Sequence, residues 1–197
     1  MNDYQIRTAL KQKLRTMHLR DTESLVLDEL GLKHGSARID LVVLSSILHG
    51  FELKSDRDTL VRLPNQARIY NSVLDRVTLV VGNRHAKKAM QIVPDWWGVI
   101  LVDKERSGEM CFLNLRQPQN NPSPDILAIA KLLWREEALN FLQEVGAEKG
   151  FRYKTRAAIY ARLTEVVELD LLRSRVRHQL KNRTNWRSGG QQMLDDG

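Results

Sequence analysis

Apolar residues cluster along this chain in two periods. Ile39 to Leu44 is a β-branched and aliphatic run interrupted by Asp40, and Gly50 to Lys54 is a second short run, so the two predict strands joined by a turn over Ser45–His49. Before them, Ile6, Leu10 and Leu14 recur at helical spacing among Arg7, Lys11, Lys13 and Arg15, which predicts an amphipathic helix with a solvated basic face. A second helix is expected from Asp21 or Thr22 as N-cap to Leu30, with Gly31 as its stop. After the hairpin, Pro64 opens a helix running to about Leu74, and Val77–Val81 and Trp97–Val102 read as buried strands flanking a basic helix, Arg84–Ile92. This alternation argues for a parallel component in the sheet, and Glu109–Leu115 adds an edge strand.

The polar, proline-rich QPQNNPSP at 117–124 reads as a linker. Helices follow over Asp125–Val145 and Thr155–Val167, and Leu169, Leu172, Val176 and Leu180 continue an apolar stripe beside a basic row of Arg173, Arg177 and Lys181. The fold class is therefore α/β, a mixed central sheet flanked by helices with a C-terminal α-helical extension. The expected division is a first domain over 1–116, the linker, a basic helical extension over 125–188 and a disordered tail over 189–197.

Within the hairpin three ionisable side chains stand where an apolar core would exclude them. With the turn centred near Ile47, Asp40 falls opposite Lys54 and diagonal to Glu52, so two carboxylates and an ammonium converge. A pair of carboxylates suits a hard cation such as Mg²⁺, which takes one or two of them and keeps its other positions for water and phosphate. The plain structural alternative is an exposed cross-strand ion pair of little energetic weight.

Asp40, eleven intervening residues, then Glu52-Leu53-Lys54 is similar to the core signature of the PD-(D/E)XK nuclease superfamily, with Ile39 in the proline position. Gln66 and Tyr70 resemble the Gln-x-x-x-Tyr motif of its RecB-like branch, and a spacing of four sets both on one helical face. The whole chain also resembles a bacterial family that joins this core to a basic helical extension. The resemblance implies a restriction-endonuclease-like core and a Mg²⁺-dependent deoxyribonuclease, an endonuclease in DNA repair or defence, with Mn²⁺ able to substitute. It implies Asp40 and Glu52 as metal ligands, Glu29 or Glu23 completing the acidic set, Lys54 orienting the nucleophile, and Gln66 and Tyr70 positioning the strand. The other reading is a non-catalytic module that binds nucleic acid or protein on the same fold.

Charge sharpens the partner. The sequence holds 31 Lys and Arg against 24 Asp and Glu, and ten of those cations lie in 151–187 with only three acids, so that segment carries the whole formal +7. DNA is the expected polyanion, contacted by Arg173, Arg177 and Lys181 on the extension and by Arg38, Arg62 and Arg68 near the hairpin. Trp134 and Trp186 on the C-terminal helices leave room for a homodimer or protein partner. No apolar run is long enough to span a bilayer, the N-terminus lacks a signal core, and a single Cys111 excludes an internal disulfide, so the expected location is cytoplasmic.

Overall fold

The computed structural model describes residues 1–18, 24–33 and 35–183. The expected N-cap at Asp21 or Thr22, together with Glu23, Trp186 and the tail over 189–197, lies outside the described residues. The chain is α/β: a mixed six-stranded sheet, seven helices among the described residues, and a C-terminal helical region.

Helix α1 (Asp3–Met17) begins at a capping box in which the Asn2 side chain accepts from Gln5 N and the Gln5 side chain accepts from Asn2 N. Strands β1 (Leu25–Leu32), β2 (Ala37–Leu44) and β3 (Leu48–Lys54) form an antiparallel meander. Helix α2 (Leu63–Val73) then leads to β4 (Arg76–Gly82), and α3 (Ala86–Ile92) to β5 (Gly98–Lys104). Strands β3, β4 and β5 are parallel, and β6 (Met110–Arg116) closes the edge antiparallel to β5. The strand order is the sequence order.

Two apolar layers hold this together. Ile6, Leu10 and Leu14 of α1 pack against Leu41, Val43, Phe51, Leu53, Val80 and Val102 on one sheet face. The other face carries α2, α3 and the C-terminal helices α4 (Ile126–Ala130), α5 (Arg135–Glu144), α6 (Arg156–Val166) and α7 (Leu169–Asn182), which share one continuous core with β1 to β5.

Three local expectations are corrected. The helix expected to end at Leu30 is strand β1: Leu27 pairs with Val42, Leu30 with Ile39 and Leu32 with Ala37, so pairing with β2 overrides the helical spacing of Leu27 and Leu30. The turn between β2 and β3 centres on Ser46, since Leu44 pairs with Leu48 and Leu41 with Phe51, so continuing the register sets Asp40 across from Glu52 rather than Lys54. The helix expected over Asp125–Val145 is two, α4 and α5, because Trp134 takes an extended backbone and its N–H donates to the Glu137 side chain at 2.7 Å, starting a new helix.

The proline-rich stretch at 117–124 is fastened along its length. Gln119 N donates to Trp96 O at 2.8 Å, Asn121 N to Asp75 O at 2.8 Å, and Asn121 Nδ2 to the carbonyls of Asn71 and Leu74 at 2.7 and 2.9 Å. These bonds carry the chain from the sheet edge to the helices that cover α2.

Candidate functional site

The site begins where two strands part. The pairing of β2 with β3 ends at Leu41–Phe51, and beyond it the Asp40 side chain takes the place of a backbone acceptor: its Oδ2 accepts from Leu53 N at 2.8 Å. The other oxygen, Oδ1, accepts from Arg7 Nη2 on α1 at 2.7 Å. Arg7 also reaches the Asp40 carbonyl and Glu29 Oε1, at 3.4 and 3.3 Å. Glu29 faces Asp40 across β1 and β2 with a left-handed φ of 55°, an exposed side chain, and a second bond from Arg38 Nη1 at 2.9 Å.

Across the gap Glu52 is 1% exposed and Lys54 5%. Period two sets both on one side of β3, and the Lys54 ammonium pairs with Glu52 Oε1. Gln66 Nε2 donates to the same oxygen at 2.6 Å, and the Tyr70 hydroxyl lies 2.7 Å from Oε2. Gln66 and Tyr70 are one turn apart on α2, with Gln66 Nε2 3.2 Å from the phenol oxygen, so the helix presents amide and phenol together as the spacing predicted.

Burial sets the electrostatics. Asp40 is pushed up to about 7, first by desolvation and then by the Glu52 charge, against the opposing pull of the Leu53 amide and Arg7. Tyr70 is held far above the ordinary phenol range by burial and by Glu52. On the other face of β3, nearer the strand's start, His49 is pushed down to about 3 by burial and by the Arg76 charge; its Nε2 lies 2.8 Å from Thr78 Oγ1 and its ring stacks on Phe51.

The expected residues Asp40, Glu52, Lys54, Gln66 and Tyr70 are thus brought together, with Glu29 at the rim through Arg7. Every carboxylate oxygen of Asp40 and Glu52 already accepts from a protein donor. A divalent ion at this pair would share the carboxylates with Arg7 and Lys54, which already balance their charge, and among the described residues no three His, Cys, Asp or Glu side chains are grouped to hold a metal. In this arrangement the donor set fits a closed polar network better than a cation.

The expected DNA-contacting cations do not converge. Arg38 is tied to Glu29, Arg62 stands exposed at the start of α2, and Arg68 bonds Asn65 Oδ1 at 2.9 Å. Arg173 and Arg177 turn inward to the buried Asp75, at 3.0 and 3.8 Å, while Lys181 lies partly buried near the end of α7. Two residues escaped the sequence reading. Arg7 was placed on a solvated face, although its position beside Ile6 on the flank of the buried stripe was the available signal. Asp75, a lone acid between Leu74 and Arg76, gives no local signal of its role.

A family model described as Bacteriophage P4 protein cII matches residues 1–192. Protein cII of Enterobacteria phage P4 is 30% identical over 86 residues, which is 44% of this chain and 33% of that protein, so the chain spans about a third of the length of the curated relative it matches. No solved structure matches the chain. The family match overturns the resemblance to the PD-(D/E)XK nuclease superfamily, and with it the expected Mg²⁺-dependent deoxyribonuclease, its hydrolase chemistry and its place in repair or defence. The physical reason is that an acid, a lysine two residues on, and an amide and phenol one helical turn apart are also what a buried carboxylate needs to satisfy its own lone pairs.

Proposed function

We propose the function from one premise: this chain belongs to the bacteriophage P4 protein cII family. It works by binding, as a non-catalytic regulatory module that attaches to DNA. The observation that carries this reading is the surplus of positive charge, 31 Lys and Arg against 24 Asp and Glu, a formal +7. The closed network at Asp40 and Glu52 supports it from the other side. Each carboxylate is engaged in holding elements together: Asp40 joins α1 to β2 and β3, and Glu52 joins β3 to α2.

Among the described residues no helix is long and apolar enough to cross a membrane. A single, exposed Cys111 accords with a cytoplasmic location. The reading includes a protein partner or second copy at the C-terminal helices, where Leu171 and Trp134 keep exposed apolar surface.

Fluorescence anisotropy with a labelled DNA duplex, titrated from about 50 to 200 mM salt, tests the proposal. Binding that weakens steeply and log-linearly with salt is the expected result. Absence of binding at the lowest salt overturns it.

A further inference from the structure

Resting on that reading, we infer that duplex DNA docks on the rim at the carboxyl ends of β3 and β4, on Arg57, Arg62, Arg84, Lys87 and Lys88, and not on the basic row of α7. The two strands are parallel neighbours with Lys54 beside Val81, so the loop after β3 and the loop after β4 leave the sheet at the same edge. They are stitched together there. Arg84 N donates to Asp56 Oδ1 at 3.1 Å and Arg84 Nη1 to Asp56 O at 3.2 Å, while His85 Nε2 lies 2.9 Å from Asp58 O. Gly82 permits the closure, because a Cβ at that position would strike the Asp56 carboxylate.

Asp56 and Asp58 keep their charge, but the stitching holds both carboxylates on neutral donors of the loops, and the five cations of the rim outnumber them. Asp56 is occupied by the Arg84 amide, and Asp58 by the Ser55 amide and hydroxyl at 2.7 and 2.5 Å. Arg57, Arg62, Arg84, Lys87 and Lys88 are all exposed, and among the described residues none of their side chains is in a salt bridge with an acid. The C-terminal helices show the opposite. There Arg173 and Arg177 pair with Asp75, Arg175 with Glu144, Arg183 with Glu137 and Arg162 with Glu165, so much of the charge that the sequence concentrates in that segment is already paired with the protein's own acids. Exposed cations free of carboxylates are what exchange counterions with phosphate.

The rim favours a duplex over a single strand. Single strands are held by bases stacking on exposed aromatic rings, and among the described residues the exposed aromatics, Tyr4, Trp134 and Tyr153, belong to α1 and to the segments around α5, not to these loops. Long flexible cations with no stacking platform suit a backbone that keeps its bases paired.

Anisotropy over a salt series separates the possibilities with three forms of the full chain. The triple variant Arg62→Gln, Lys87→Gln, Lys88→Gln is expected to lower the slope of log affinity against log salt by about 2.7 and to weaken duplex binding by roughly two orders of magnitude at 0.1 M salt. The second triple, Lys149→Gln, Arg152→Gln, Lys154→Gln, neutralises the turn that carries Tyr153 and is expected to leave the slope unchanged. A charge-preserving swap, Arg62→Lys, Lys87→Arg, Lys88→Arg, is expected to bind as the natural chain does, which guards against a folding defect in the first variant. If the natural chain binds duplex but the rim triple keeps its slope, or the Tyr153-turn triple loses it, the inference fails while the DNA-binding reading stands. A single-stranded oligonucleotide that outcompetes the duplex also overturns it. If the natural chain binds no duplex, the reading itself fails and takes the rim with it.

Discussion

Glu52 and Asp75 are two acids that fasten opposite ends of the same strand by different means. Glu52 lies toward the carboxyl end of β3 and is served by side chains: Lys54, the Gln66 amide and the Tyr70 phenol. Asp75 precedes β4 and holds the other end, accepting from Leu48 N at 2.7 Å while Arg173 and Arg177 approach it from α7. All of Glu52's partners lie within 18 residues of it, whereas the arginines on Asp75 come from about a hundred residues away. The local cluster fixes the strand to its own crossover helix, and the distant one clasps the sheet to the C-terminal helices. Their burial differs as well. Glu52 and Lys54 are both sealed from water, while the Arg173 and Arg177 side chains keep about a fifth of their exposure and can return to solvent when the acid is lost.

The largest expected effect follows from that difference. Glu52→Ala leaves the Lys54 ammonium buried without its counter-charge, while Tyr70 keeps the Arg38 carbonyl as acceptor and Gln66 keeps Tyr70, a loss of about 3–5 kcal/mol in urea unfolding. Glu52→Gln keeps an acceptor for Tyr70 and is expected to lose less. Asp75→Ala comes next, at about 2–3 kcal/mol, because a buried backbone N–H loses its acceptor while the two arginines rehydrate. Hydrogen exchange separates the two substitutions: the Asp75 variant is expected to loosen α7 and the start of β3, and the Glu52 variant the end of β3 and α2. Asp75→Ala proving the costlier would break the comparison, since it would place the main closure of the fold in the long-range clasp.

The same contrast explains what the sequence made legible. The β2–β3 hairpin, the α2 spacing that aligns Gln66 with Tyr70, and the buried strands β4 and β5 were readable because each depends on neighbours a few residues apart. Strand β1 was not, since LVLDELGL takes its form from pairing with β2 and not from a period of its own. Arg7 and Asp75 were missed because their partners come from 33 residues and about a hundred residues away, and no local pattern points there. Charge misled for a related reason. Counting cations in the last helices could not reveal that Asp75, Glu137 and Glu144 would pair with four of them, Asp75 with two.

The smallest expected effect sharpens the electrostatic side of the comparison, because Asp40 and His49 oppose one another across one pH window. Asp40 rises from 3.8 unfolded to about 7 folded, so the folded state holds its proton more tightly, and this contribution is full below about pH 4 and is lost as pH rises toward 7. His49 falls from 6.5 to about 3, so the unfolded state takes the proton first; its contribution is full above about pH 6.5 and is lost as pH falls toward 3. Between pH 4 and 6.5 the two slopes have opposite sign, and the natural chain is expected to show nearly constant stability from these groups. Asp40→Asn removes the falling component, so its stability should climb with pH by about 1 kcal/mol across that window, a figure discounted for the solvent that still reaches both side chains. His49→Gln should show the reverse slope. Urea midpoints measured at several pH values check the sign directly. Parallel curves for the natural chain and Asp40→Asn would mean that Arg7 and the Leu53 amide hold Asp40 as an ordinary carboxylate, and that the strain of burying an acid at this site rests on Glu52 alone.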